Sequence, residues 1–160
     1  MKRKDLLDVW GVLNRLESEK HDVRFSYFIA KNKMELKKEV DAINTCQTPS
    51  KEFLMFETKR VELAQQYSEK DDKGQPIVNA GQYVIIKYRE AFEKEVSALK
   101  KQFGATLEER AKQLEECQKF LEEDIEFNFV KLKFEQLPKS IEPRVLEVFM
   151  TANMIMDEEK

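Results

Sequence analysis

Apolar residues recur at three- and four-residue intervals along most of the chain, with charged residues between them. The first stripe lies within residues 4–20 and consists of Leu6, Val9, Trp10, Leu13 and Leu16. This spacing places the apolar side chains on one face of an α-helix. After an interruption at His21-Asp22 the same period continues over residues 23–43, which predicts a second helix with a broad apolar face.

The same period predicts a third and a fourth helix. The third follows a Thr-Pro-Ser break at residues 48–50, where a hydroxyl can cap free amides and proline suits a first helical turn. We expect it to end near Lys70. The fourth covers residues 88–103, with its apolar side chains on one line, and Gly104 is predicted to end it as a C-terminal cap.

Two further helices complete the helical pattern. Thr106 and Glu109 match a capping box, in which each side chain satisfies an amide at a helix start. The fifth helix is therefore predicted to begin there. The last helix is predicted to open at Ser140, which acts as its cap, with Pro143 inside the first turn.

Two segments depart from the helical period and predict β-structure. A Gly- and Pro-containing turn at residues 71–76 ends the third helix, and β-rich runs at 77–78 and 83–86 around a Gly-containing four-residue loop at 79–82 predict an antiparallel hairpin. Alternating apolar and polar residues over 125–135 predict a late strand, bulged or buried on both faces, which we expect to pair with the hairpin. The predicted fold class is mainly α (α+β), with about six amphipathic helices, a small antiparallel hairpin and one late strand.

The composition favours one helix-rich domain. Of the 160 residues, 41% are hydrophobic and 37% charged, and only four are glycine and four proline. This profile favours helices over a β-sandwich or a disordered chain. We therefore predict a single domain over residues 1–160, with a helical part at 1–70, a hairpin at 71–87 and a helix-helix-strand-helix part at 88–160.

The charge balance argues against several classes of partner. With 28 basic and 31 acidic side chains, the formal charge of −3 provides no general attraction to nucleic acid. The stretch 108–126 is strongly acidic and the stretch 131–144 loosely basic, which we interpret as solvated surface of mixed sign. No apolar run approaches the length of about 18 residues that spans a bilayer. We expect no secretion, no membrane insertion and a cytoplasmic location.

Side chains suited to covalent or metal chemistry are few. Cys46 and Cys117 lie far apart and belong to no C-x-x-C or Cys/His pattern, so neither a zinc site nor a disulfide is predicted and a reducing compartment is expected. The single histidine, His21, is expected to serve a helix junction or cap. The chain also lacks a nucleophile elbow, a P-loop and a dinucleotide-binding glycine motif.

Carboxylates are abundant, but their pattern does not indicate catalysis. Glu116 and Glu123 can share a helix face, yet acid/base or two-metal chemistry needs carboxylates in a desolvated cleft, and a solvated face is the simpler interpretation. The turn at residues 71–74 lacks the ligand spacing of a calcium loop. We predict no enzymatic activity, no metal site and no cofactor.

Cationic and aromatic side chains near the hairpin and late strand form the predicted ligand-binding set. Its members are Lys87, Tyr88, Arg89, Lys131, Lys133 and Arg144. If the hairpin and late strand pair, the cations can hold phosphate while the ring stacks on a base. Alternating lysines also protect an exposed strand edge from pairing, and this alternative stays open. The Met-rich final helix suggests core filling, homo-oligomer packing or a surface for a partner helix.

Turn and capping motifs in the central and C-terminal parts resemble those of small bacteriophage accessory proteins of unassigned function. They comprise an E-K-D-x-x-G-x-P-I turn and a later P-x-x-I-x-P-x-x-L segment. The matching residues are Glu69, Lys70, Asp71, Gly74, Pro76, Ile77, Pro138, Ile141, Pro143 and Leu146. The resemblance implies the cytoplasm of a phage-infected bacterium and transfers no catalytic residue.

The expected function is therefore binding. We predict a non-enzymatic, phage-type, oligomeric protein that sequesters or blocks a host defence factor or a small anionic, nucleotide-like signal. The alternative is a structural or assembly protein of a phage particle.

Overall fold

The computed structural model describes residues 1–156 and confirms the mainly α fold. Within this range there are six α-helices: α1 Leu6–Glu17, α2 Val23–Gln47, α3 Lys51–Tyr67, α4 Arg89–Gln102, α5 Gly104–Glu122 and α6 Pro143–Thr151. The strands β1 Val78–Asn79 and β2 Gln82–Tyr83 form the hairpin, and short 3-10 helices lie at Arg3–Asp5 and Phe134–Gln136.

The chain forms two compact units, which are described one at a time. The first comprises Met1–Gln47 together with Glu115–Lys160, and the second comprises Thr48–Leu114. The organisation of residues 1–160 as a single domain stays a prediction.

The core of the first unit is built from α1, α2, α6 and the extended segment that precedes α6. Its most deeply buried side chains are Leu6, Leu13, Phe25, Phe28, Leu36, Phe149 and Met154. The rings of Phe28 and Phe149 meet edge to face with centroids 5.3 Å apart, and Phe25 stacks on Phe28 at 5.7 Å. The predicted apolar stripes of α1 and α6 therefore meet one face of α2.

The junction between α1 and α2 is closed by polar side chains, as predicted for His21. Its Nε2 atom lies 3.0 Å from the Leu16 carbonyl oxygen, and its ring meets Phe25 edge-on at 4.9 Å. The carboxylate of Asp22 accepts hydrogen bonds from the backbone N–H groups of Arg24 and Phe25 at 2.9 and 3.0 Å. These bonds satisfy amides that have no partner within a first helical turn.

The predicted late strand is wrong, and so is its predicted pairing with the hairpin. The hairpin sheet contains β1 and β2 only, and residues 125–133 run as an extended segment. The described bridges along this part of the chain join Lys2 to Asp124 and Leu132 to Ile155. Backbone groups of the segment are thus satisfied within the first unit rather than by a β-sheet.

A buried asparagine replaces the missing strand partner. Asn32, fully buried on α2, accepts a hydrogen bond from the Val130 N–H at 2.9 Å and donates to the Val130 carbonyl at 3.1 Å. Its amide also donates to the Phe28 carbonyl at 3.0 Å. One side chain therefore holds the extended segment against α2 in the way a neighbouring strand would.

Asn32→Ala is expected to lower the free energy of unfolding by about 3 kcal/mol, because the Val130 backbone groups lose both partners. Urea denaturation followed by far-UV circular dichroism measures the change. Asn128→Ala is the matched control, since Asn128 is an exposed asparagine on the same segment. Equal denaturation midpoints for the two variants would contradict the role assigned to Asn32.

The second unit packs α3 against α4 and confirms the predicted hairpin. The Ser50 side chain caps α3 by accepting a hydrogen bond from the Phe53 N–H at 3.2 Å. Phe56 is buried and meets Phe103 with ring centroids 5.8 Å apart. The hairpin loop has two residues, Ala80-Gly81, and not the four predicted, because Asn79 pairs with Gln82. The φ angles of Ala80 and Gly81 are 48° and 77°, the left-handed values that a two-residue hairpin turn requires.

Three predicted helix boundaries need correction. Helix α5 does not begin at the predicted capping box of Thr106 and Glu109, because Thr106 already lies inside the helix. Gly104 begins α5 instead of ending α4, and the backbone turns at Phe103, whose N–H donates to Leu99 and whose carbonyl accepts from Leu107, both at 3.0 Å. Packing of the Phe103 ring, not glycine at positive φ, sets this corner. The cap of α6 is Glu142 rather than Ser140, with proline in the first turn as predicted.

The prediction that the cysteines stay unpaired is wrong. Cys46, near the end of α2, and Cys117 on α5 form a disulfide with their Cα atoms 5.4 Å apart. No free cysteine remains in the described residues. A separation of 71 residues in sequence hides this proximity from any local motif.

Candidate functional site

Three of the predicted ligand-binding residues lie together in the second unit, between the hairpin and α4. The Lys87 ammonium lies 5.2 Å from the centre of the Tyr88 ring, which is about half exposed. The Lys87 N–H donates to the Glu69 carboxylate at 2.8 Å, and Arg89 pairs with Glu93 at 2.9 Å. The charge of Arg89 is therefore already balanced within α4.

The other three predicted residues, Lys131, Lys133 and Arg144, belong to the first unit. Lys131 and Lys133 are exposed on either side of buried Leu132 in the extended segment. The predicted phosphate-binding set depended on pairing of this segment with the hairpin, and that pairing is not formed. Of these three residues, Arg144 alone lines a described cavity of the first unit.

That cavity is a groove of about 580 Å³ between α1 and α6. Its apolar lining is provided by Val9, Val12, Val148 and Ala152. The two helices run antiparallel, because Arg15 near the end of α1 forms an ion pair at 2.9 Å with Glu142, the cap of α6. Residues near the end of α1 therefore lie beside residues near the start of α6.

The charged side chains of the groove are partly sorted by sign along its length. Arg15 and Arg144 lie at the end where α1 finishes and α6 starts, and Arg15 is paired there with Glu142. Asp5 and Asp8 lie towards the start of α1, with Asp5 about 15 Å from Arg15 at the rise of an α-helix. A bound molecule thus meets positive charge at one end and negative charge at the other, with Glu147 beside the apolar residues between them.

The glycine at position 11, which lines the groove, is not required by the packing of the chain. Gly11 lies in the interior of α1 and lines the groove, and a Cβ atom added there would meet nothing within 4 Å. Glycine inside a helix costs about 1 kcal/mol relative to alanine. Because glycine has no side chain, a ligand in the groove can approach the backbone of α1 closely at this position. Gly11 is not among the predicted site residues, although a glycine inside an amphipathic helix is a signal visible in the sequence.

Acidic residues at the end of α5 are engaged by the basic N-terminal segment. Three successive basic residues pair with three successive acidic ones in antiparallel order: Lys2 with Asp124, Arg3 with Glu123 and Lys4 with Glu122. The hydrogen bond from Lys2 lowers the pKa of Asp124, and the hydrogen bond to Glu122 raises the pKa of Lys4. Within residues 1–156 no cluster of three or more potential metal ligands is found.

The Met-rich C-terminal region divides between core and surface. Met154 is fully buried, and its backbone carbonyl accepts a hydrogen bond from the Leu132 N–H at 3.0 Å. Met150 and Met156 are exposed. Both predicted uses of these methionines, core filling and an apolar surface, therefore have side chains in suitable positions.

Comparison with protein-family models, curated proteins and solved structures found no match. Among the helices of residues 1–156, none combines the length and the apolar character needed to cross a bilayer. Function is therefore inferred from the groove and from the exposed side chains.

Proposed function

We propose that this protein binds a segment of a partner protein in the groove between α1 and α6. In keeping with the phage resemblance, it acts without catalysis by blocking a host factor. The observation that carries the proposal is Gly11, a destabilising residue that lines the groove and that no packing contact requires.

The chemistry of the groove fits a short peptide segment. A volume of about 580 Å³ is within the range of ligand-binding clefts. The apolar middle of the groove suits one or two aliphatic or aromatic side chains, and the charged ends determine in which direction the peptide binds. The expected segment is apolar in its centre, acidic at the end that meets Arg15 and Arg144, and basic at the end that meets Asp5 and Asp8.

Gly11→Leu is expected to weaken peptide binding at least about tenfold, because the new side chain fills the groove. Peptides are first selected from a random library on the immobilised wild-type protein, and their affinities for the variants are then measured by calorimetry. Gly104→Leu is the matched control, since Gly104 is also helical and its Cβ position is also open. It should bind the same peptides as the wild type.

Both variants should unfold at or above the wild-type midpoint, because leucine has the higher helix propensity. Lost binding in a folded Gly11→Leu protein then reports on the groove itself. Equal affinity of Gly11→Leu and Gly104→Leu for every selected peptide would contradict the proposal.

A small anionic, nucleotide-like signal remains the second candidate ligand. It is favoured by the contact between the Lys87 ammonium and the exposed Tyr88 ring. Calorimetry with cyclic oligonucleotides and ADP-ribose derivatives tests it. Co-purification with phage particles would instead favour the alternative of an assembly protein.

A further inference from the structure

Helix α2 is apolar on two opposite faces, and only one of them is covered. The covered face contributes Phe25, Phe28 and Leu36 to the core. The opposite face carries Val23, Tyr27, Ala30 and Met34, of which Val23 is 85%, Tyr27 64% and Met34 70% exposed. A monomeric protein rarely leaves such a row of large apolar side chains in water, which marks it as a contact surface.

The spacing of this row is that of a coiled-coil seam. Successive members are four, three and four residues apart, which is the 3.5-residue period of packed helix pairs. One flank of the row is basic at seven-residue intervals, with Arg24, Lys31 and Lys38. We call the four apolar residues of this face the α2 seam.

Helix α5 carries a row with the same spacing and the opposite charge. Its apolar members are Leu107, Ala111 and Leu114, again four and three residues apart, and Leu114 is 49% exposed. The corresponding flank is acidic at seven-residue intervals, with Glu108, Glu115 and Glu122. We call the three apolar residues the α5 seam.

We propose that the protein self-associates by packing the α2 seam of one copy antiparallel against the α5 seam of a second copy. This direction forms three layers, Tyr27 on Leu114, Ala30 on Ala111 and Met34 on Leu107. Large side chains fill the outer layers, and two alanines let the helices approach in the middle.

Charge selects this pairing over the association of two α2 seams. Antiparallel packing places the basic flank of α2 beside the acidic flank of α5, whereas two α2 seams would bring Arg24 and Lys31 of each copy towards like charges. The present partners of Lys31 and Glu115 are Glu35 and Lys119, four residues away on exposed helix faces. Exposed pairs of this kind contribute little and are readily exchanged.

Sedimentation velocity of the full chain over a range of concentrations tests the proposal. Wild-type protein is expected to associate, and more weakly as salt is added, because the flanking charges are screened. Arg24→Glu with Lys31→Glu gives a protein with two acidic flanks. Glu108→Lys with Glu115→Lys gives one with two basic flanks. Each of these two charge-reversed proteins, measured on its own, should have an association constant at least about tenfold lower than that of the wild type.

An equimolar mixture of the two charge-reversed proteins should recover association, since each acidic flank then meets a basic flank. Tyr27→Glu should also abolish association, whereas Ile86→Glu, at a residue that is 73% exposed outside both seams, should not. A wild type that stays monomeric, or charge-reversed proteins that associate alone as the wild type does, would overturn the proposal. None of these substitutions touches the groove, so the peptide-binding test can fail or succeed independently.

Discussion

Reduction of the Cys46–Cys117 disulfide is expected to lower the free energy of unfolding by about 4 kcal/mol, because the bond closes a long loop whose freedom returns to the unfolded chain. The two cysteines are 71 residues apart, so the bond joins the ends of a segment that includes the whole second unit. Urea denaturation of the wild type with and without dithiothreitol measures the difference.

The control for this prediction is Cys46→Ser with Cys117→Ser, whose stability should not respond to reductant. It should unfold near the midpoint of the reduced wild type. If oxidised and reduced wild type unfold at the same urea concentration, the disulfide contributes nothing to stability and the prediction is wrong.

Phe149→Ala is expected to destabilise the protein by a similar amount, about 4 kcal/mol, because it empties the centre of the first unit. The ring is fully buried and lies 5.3 Å from Phe28 and 6.4 Å from Phe25, centroid to centroid. Thermal or urea denaturation provides the measurement. Both readouts should move together if the unit unfolds cooperatively.

Met150→Ala separates the effect of burial from that of changing helix α6. Met150 is the next residue on the same helix and is 65% exposed, so its truncation should change stability by no more than about 0.5 kcal/mol. A comparable loss in both variants would show that the ring cluster is not the source of the stability.

Features encoded by neighbouring residues could be predicted from the sequence. The six helices follow from local apolar period, and the Ser50 cap follows from a side-chain preference at a single position. The hairpin was also predicted, but with a four-residue loop in place of the Ala80-Gly81 turn. The prediction of a late strand was wrong because alternating apolar and polar residues indicate an extended backbone but do not identify what it hydrogen-bonds to. That partner is the Asn32 side chain, 98 residues before Val130.

The candidate site was predicted only in part, for the same physical reason. Arg144 was selected for its charge, and it lines the groove. Lys87 to Arg89 and the lysines of the extended segment were grouped through a strand pairing that does not form. The groove lies between α1 and α6, two helices that are far apart in sequence but adjacent in space, so no local sequence pattern marks it. Gly11 was the one local sign.

The disulfide also joins the two chain segments that make up the first unit. The first unit is interrupted in sequence between Gln47 and Glu115, and the Cα atoms of Cys46 and Cys117 are only 5.4 Å apart. Both cysteines belong to the first unit, so the bond ties its two chain segments to each other directly. That tie is covalent and persists if the second unit unfolds, so we expect the two segments of the first unit to stay close together in that state.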